Sequence, residues 1–254
     1  MLKFAANISF LWKDLALPNR VRAAAAAGFD AVEVLFPYDT PAPELKRALD
    51  QTGLPLALIN CPPPNYTGGD RGFAAVPGQE DRFRTDFRRA LRYAQALGAG
   101  HLHVMSGPAE GAEAETCLIA NLQWACDFAP DHSLTIEPIN PHDMPGYFLN
   151  DFDQAARVID AVDRSNLGLQ FDAYHAQRIT GDALACWAAH GHRARHIQIA
   201  DHPGRHEPGS GEIDFPSFFA ALVADGYDGW ISAEYAPAAD VEEGLGWLAE
   251  VARG

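Results

Sequence analysis

The feature that most constrains the fold is a rhythm: short β-like runs alternate with longer amphipathic segments along the whole chain. The runs are Phe4–Ser9, Ala31–Leu35, Leu56–Asn60, His101–Met105, Leu134–Glu137, Leu167–Asp172, His196–Ala200 and Trp230–Glu234, eight in all. Segments such as NRVRAAAAAGF, APELKRALDQTG, EDRFRTDFRRALRYAQALGAG and FPSFFAALVADGY lie between them and read as helices. Several of these stop at a glycine (Gly28, Gly53, Gly98, Gly226), which accepts the left-handed backbone of a helix end at no steric cost. Eight strands, each followed by a helix, predict the α/β class and a single-domain (β/α)8 barrel of the TIM type. A doubly wound sheet would carry GxGxxG at its first turn, and this chain lacks it.

Composition agrees with one domain over residues 1–254. The chain is 48% hydrophobic, enough for a sizeable core, and no linker, charge block or low-complexity tract divides it. The opening MLKFAANISFLWKD lacks the apolar stretch and cleavage site of a signal peptide, and no segment approaches a membrane span, so cytoplasm is the default expectation. Cys61, Cys117, Cys126 and Cys186 are scattered without a CxxC, which suggests neither a disulfide framework nor a zinc site. The formal net charge of -15 opposes contact with a nucleic-acid backbone. A small anionic substrate is compatible with it, because one arginine or metal ion can reverse the potential inside a cleft. Exposed apolar helix positions leave a homo-oligomer open.

Barrel active sites lie where strands end. The last four runs end in polar residues: LTIEPIN gives Glu137, LGLQFDAYH gives Asp172, RHIQIADH gives Gln198 and WISAEY gives Glu234. Adjacent strands lie roughly 5 Å apart, so these four can converge on one volume. Any one of them reads equally well as a loop cap, but three carboxylates and an amide together repel one another, and a bound cation is the obvious remedy. An all-oxygen set suits Mg²⁺ or Mn²⁺.

Nearby stand His175, three residues after Asp172, and Arg205, the single arginine of the loop ADHPGRHEPGSGEID. A guanidinium forks well onto a carboxylate, and the lesser alternative for Arg205 is a surface ion pair with Glu207 or Asp201. His202 and His206 are weaker candidates, and His101 and His103 read as packing more readily than as a metal pair. Residues 67–80 make a connection long enough to act as a lid, and Arg71 within it is a second candidate for gripping an anion. Phe36, Tyr38, Trp12 and Trp230 are open between lining a pocket and packing, and Asn140, His142 and Tyr147 are candidates for its rim.

FAANISFLW, AGFDAVEVLFPYD, GDRGFAAVPGQE, IEPIN with PGYFL, QFDAYHAQR, HIQIADHPGRHEPGSGEIDF and GWISAEY together resemble the hydroxypyruvate isomerase family, part of the xylose-isomerase-like group of TIM barrels. The resemblance implies interconversion of hydroxypyruvate and tartronate semialdehyde, with Glu137 and Glu234 as the proton donor and acceptor pair. It implies Glu137, Asp172, Gln198 and Glu234 as divalent-metal positions, and His175 and Arg205 as substrate contacts. The epimerase branch of the group usually has histidine where this chain has Gln198, and some isomerase members are described without a metal requirement.

The residue types suit that chemistry. Moving a carbonyl between adjacent carbons requires one proton to leave, an enediolate to be stabilised and a proton to return, which two carboxylates of differing pKa can perform. Arg205 or Arg71 would hold the carboxylate of a small 2-oxo acid. The alternatives are a 2-oxo-tetronate isomerase, a ketose 3-epimerase, a DNA repair endonuclease of the same group, and a non-catalytic sugar-acid binding barrel.

Overall fold

A computed structural model describes residues 1–61 and 71–251 of the chain. Eight strands form, β1 (Lys3–Asn7), β2 (Ala31–Glu33), β3 (Leu58–Asn60), β4 (His101–His103), β5 (Ser133–Ile136), β6 (Leu167–Asp172), β7 (Ala194–Ile199) and β8 (Trp230–Ala233). Paired strands are parallel, in the order β2-β1-β8-β7-β6-β5-β4-β3. The two ends of that order meet: Val32 bridges Leu56, the Val34 N–H donates to the Leu58 carbonyl at 3.2 Å, and the Asn60 N–H donates to the Leu35 carbonyl at 2.9 Å. The result is the (β/α)8 barrel that the rhythm predicts.

Around it run α1 (Leu17–Ala26), α2 (Ala42–Thr52), α3 (Glu80–Leu97), α4 (Gly111–Phe128), α5 (Phe152–Val162), α6 (Ala173–Thr180), α7 (Ala183–His190), α8 (Phe215–Ala224) and the short α9 (Gly246–Val251). Gly28, Gly53, Gly98 and Gly226 all take positive φ, as expected of helix ends. One connection differs from expectation: two helices, α6 and α7, follow β6 where the sequence pattern suggests one. The cause is local, because the Asp172 carboxylate accepts from the N–H of Tyr174 at 2.8 Å and of His175 at 3.4 Å and so starts a helix directly at the strand end.

Strand alternation divides the residues into two sets. Phe4, Val32, Leu102, Ile136, Leu169, Phe171, Ile197 and Ile231 face the helices and join one continuous apolar core. Part of it is an aromatic cluster: Phe171 stacks on Phe218 with ring centroids 5.9 Å apart, and Trp187 meets both edge-on. The alternate residues face the barrel axis. At one end these are small, with Ala5, Ala31 and Ala57 in a separate cluster under Trp230. Toward the C-terminal ends of the strands they are polar and buried: Asn7, Glu33, Asn60, His103, Thr135, Gln170, His196, Gln198 and Ser232.

The four cysteines are free and buried. No helix among the described residues is long and apolar enough to cross a membrane.

Candidate active site

Each strand end delivers its residue by a simple device. β5 stops at Ile136, and Pro138, which has no N–H to continue a ladder, turns the chain away just after Glu137. β8 stops at Ala233, leaving Glu234 at the mouth. Asp172 and Gln198 are direct partners in the β6–β7 register, and Asn7 and Glu33 are partners in β1–β2. Glu137, Asp172, Gln198, Glu234 and His175 are all at least nine-tenths buried at the barrel mouth. Glu137, His175, Gln198, Glu234, Arg205 and Arg71 line one cavity of about 290 Å³. The structure therefore brings Glu137, Asp172, His175, Gln198, Glu234, Arg205 and Arg71 into one region, Asp172 sitting just behind the wall.

Arg205 is the cation paired with these acids. It occupies a left-handed backbone conformation (φ 55°), rare for a residue with a Cβ, and is secured by its N–H to the Asp201 carbonyl at 2.8 Å and by its carbonyl from the Ala236 N–H at 3.0 Å. Its guanidinium donates to Glu234 Oε1 at 2.9 Å, lies 3.6 Å from Asp172 Oδ2, and is flanked by the rings of Phe10 and Tyr174. The pairing with Glu207 or Asp201 that the sequence leaves open does not form: Glu207 accepts from the Ala238 N–H, and Asp201 spends its carboxylate on its own loop. Arg71 is exposed and makes no hydrogen bond or ion pair with another described residue.

The histidine's role follows from its neighbour. Asn140 Oδ1 accepts from the backbone N–H groups of His142 and Asp143, so its Nδ2 faces His175 Nδ1 at 2.7 Å. His175 Nδ1 is thereby an acceptor and Nε2 carries the hydrogen, directed toward Asp172 Oδ2 at 3.5 Å and Glu137 Oε1 at 3.8 Å. Burial, reinforced by the charges of Arg205 and Arg178, holds its pKa well below the ordinary histidine range, in keeping with a neutral ring.

The carboxyl groups move the other way. Burial raises Glu137 well above the usual carboxylate range, and the neighbouring Asp172 and Glu234 charges add to it. Burial also raises Glu234, but Arg205 opposes the rise. Asp172 is pushed up to about 6 by burial against the pull of Arg205. Three buried carboxyl groups, Glu137, Asp172 and Glu234, act on the one Arg205 guanidinium, a charge imbalance that bound protons or a divalent cation would relieve.

Glu137, Asp172 and His175 each offer a ligand atom within 4.8 Å of the others and could hold a metal ion. Asp172 Oδ2 is buried without a hydrogen-bond partner, which leaves an acceptor able to serve as a ligand atom. Gln198 and Glu234 are engaged differently. Both Glu234 oxygens accept hydrogen bonds, Oε1 from Arg205 and Oε2 from Asn7 and Gln198.

The sequence pattern misses Glu33, Asn7 and Gln170. Gln170 could have been found, because it lies two residues before Asp172 and two-residue alternation puts both on the same face. Glu33 had no such pointer. The four aromatics left open (Phe36, Tyr38, Trp12, Trp230) pack elsewhere, and Phe10 lines the cavity instead. Of the rim candidates, Asn140 and Tyr147 are buried, His142 is exposed, and the cavity takes Ile139, Asp143 and Met144 from that loop. His202 pairs with Glu212, and His206 contacts the Ala236 carbonyl. His103 packs against Asn60, and His101 against Ser133. Of the proposed lid, residues 67–70 lie outside the described residues. The rest packs closely on the exit of β4: a Cβ on Gly72 would lie 2.2 Å from the Met105 carbonyl oxygen, and one on Gly107 would lie 2.2 Å from that of Gly72.

Residues 21–251 match the family described as xylose isomerase-like TIM barrel. A 2-oxo-tetronate isomerase of Cupriavidus necator is 44% identical over 98% of both chains, and a hydroxypyruvate isomerase of Escherichia coli is 39% identical over 98% of both. Among solved structures, one titled AP endonuclease, family 2, from Brucella melitensis superposes with a TM-score of 0.94 at 41% identity, covering 98% of this chain and 99% of its own. The chain belongs to the xylose isomerase-like TIM barrel family.

Proposed function

We propose that the protein is an isomerase of a small 2-oxo acid, interconverting hydroxypyruvate and tartronate semialdehyde. The observation that supports this best is a pair of buried glutamates, Glu137 and Glu234, opening into one cavity that also presents arginine and a neutral histidine N–H. Their environments differ in the sense an acid–base pair needs. Arg205 bonds directly to Glu234 and favours its ionised form, so Glu234 is the base that removes the proton from the hydroxymethyl carbon. Glu137 has no directly bonded cation and is the group that returns a proton to the adjacent carbon. The N–H of His175 donates to a substrate oxygen as charge develops on the enediolate. Arg71, at the cavity wall, holds the substrate carboxylate, while Arg205 holds Glu234.

A divalent cation, Mg²⁺ or Mn²⁺, fits the oxygens of Glu137 and Asp172, since such ions are often bound by one or two carboxylates together with substrate and water. His175 would join as a ligand only if its hydrogen moved to Nδ1, against the Asn140 contact. When bound, the ion supplies Lewis-acid stabilisation of the developing oxyanion.

The 44% identity to a 2-oxo-tetronate isomerase favours a second reading, a four-carbon acid as substrate, and the cavity is large enough for either. One assay decides among these readings: turnover of hydroxypyruvate beside 2-oxo-tetronate, with Glu137→Gln and Glu234→Gln as controls and an abasic-site DNA duplex as a third substrate. Each variant should lose about 1,000-fold or more in kcat. A variant keeping most activity overturns the acid–base assignment, and cleavage of the duplex without isomerisation overturns the isomerase reading. Activity that survives exhaustive chelation would show that the two carboxylates work without an ion.

A further inference from the structure

Beneath the two glutamates lies a second layer of polar groups whose amide orientations follow from the acceptors around them. One end of the Gln198 carboxamide sits between two carboxylates, 2.6 Å from Glu33 Oε1 and in contact with Glu234 Oε2. Only an NH₂ group satisfies two acceptors, so that end is Nε2, and Oε1 points the other way. Gln198 Oε1 is then 2.8 Å from the Gln170 side chain, which must donate through its own Nε2. The same Nε2 lies 2.9 Å from Glu137 Oε2, and Gln170 Oε1 is left to accept from the Thr135 hydroxyl at 3.1 Å. Every member is fully buried or nearly so. The outcome is a continuous path, Glu137 to Gln170 to Gln198 to Glu234, in which each carboxylate receives a hydrogen from an amide.

We infer that Gln170 and Gln198 are positioning residues that form an amide bridge, fixing the two glutamate carboxylates relative to one another across the mouth. Gln198 is thereby committed to Glu33 and Glu234 through nitrogen and to Gln170 through oxygen. A cation would have to break the bridge to use it as a ligand. The role assigned to the bridge rests on the reading of Glu137 and Glu234 as the proton-transferring pair, whereas the bridge itself does not.

Two measurements separate these parts. The first is a double-mutant cycle on folding stability, with Gln170→Met, Gln198→Met and the combined variant compared by urea unfolding. Each methionine keeps the volume but strands the partner amide, so the single losses overlap. Expressed as folding equilibrium constants, the loss in the double variant should be at least about tenfold smaller than the product of the two single losses. Losses that simply multiply overturn the bridge, whether or not the protein turns over any substrate.

The second measurement is kinetic, on whichever 2-oxo acid the parent isomerises. Gln170 is absent from the cavity wall, so Gln170→Met should lower kcat by about 100-fold with KM within about twofold, the pattern of a misplaced reacting group. An unchanged kcat, or a loss confined to KM, overturns the positioning role. If Gln170→Met folds too poorly for kinetics, Gln170→Asn, which keeps the carboxamide but withdraws it by one methylene, provides the same split at a smaller loss. A parent that isomerises nothing overturns the functional reading, and the stability cycle still tests the bridge.

Discussion

At the level of single residues, the two arginines of the mouth have separate tasks. Arg205 spends its guanidinium on Glu234 and Asp172 and is hemmed by two aromatic rings, so it acts on the base. Arg205→Ala should therefore lower kcat by about 100-fold with a lesser effect on KM, because it strips a buried carboxylate of its cation. Arg71→Ala should do the reverse and raise KM by about tenfold at near-constant kcat, as loss of a ground-state carboxylate contact does. Steady-state kinetics on both variants checks the division, and a KM effect at Arg205 with none at Arg71 would reverse it. The sequence makes both arginines visible but cannot rank them. A guanidinium's partner depends on where a loop delivers it, and nothing in HPGRHEPG states that Arg205 will take a left-handed backbone and turn inward.

Among the elements, the connection after β7 shows how a loop is made as definite as a strand. The buried Asp201 carboxylate accepts four backbone N–H groups: His202 at 2.9 Å and Ile213 at 3.0 Å on Oδ1, Gly209 at 2.9 Å and Gly211 at 2.8 Å on Oδ2. Residues 201–213 are gathered around one side chain, with Arg205 held at the loop's inner edge. Asp201→Ala would orphan those donors and cost about 2–4 kcal/mol of stability. It should also reproduce much of the Arg205→Ala loss of kcat, measurable by urea unfolding beside kinetics. A stable variant with full activity would show that the loop is ordered by other means. The strands themselves were legible because their apolar period is local: Leu134–Ile136 followed by Glu137 and Pro138 reads as a strand with a terminal acid from the letters alone. Glu33 was not legible, since an acid after Ala31 and Val32 looks the same whether it meets water or, as here, Asn7, His196 and Gln198 from two other strands. Helix α6 was missed for a related reason. Asp172 stands both as a site acid and as a helix cap, and its second role appears only when the Tyr174 and His175 N–H groups are seen to converge on Oδ1.

For the molecule as a whole, a polar barrel interior has consequences in acid. Burial and neighbouring positive groups hold His101 down at about 3 from an ordinary 6.5, and burial does the same for His103. Between those values the unfolded chain binds protons that the folded one refuses, so this part of the stability is present above about pH 6.5 and is lost as pH falls toward 3. Asp172 has the opposite sign: raised from 3.8 to about 6, it favours the folded state at low pH and loses that contribution as pH rises through 6. Urea unfolding of the parent and of His101→Gln at several pH values should show the variant losing less stability than the parent between pH 7 and 4. Parallel curves would mean that the ring is already able to charge in the fold. The alternation of inward and outward residues reaches further than stability. Because Phe171, Ile197 and their like lean on the helices while Gln170, Asp172 and Gln198 face the axis, the parity of a residue within its strand decides whether changing it alters the wall or the chemistry. An evolving or redesigned chain of this kind can exchange its reaction at every second position and keep its architecture at the others, as a cabinet keeps its frame while its drawers are refitted.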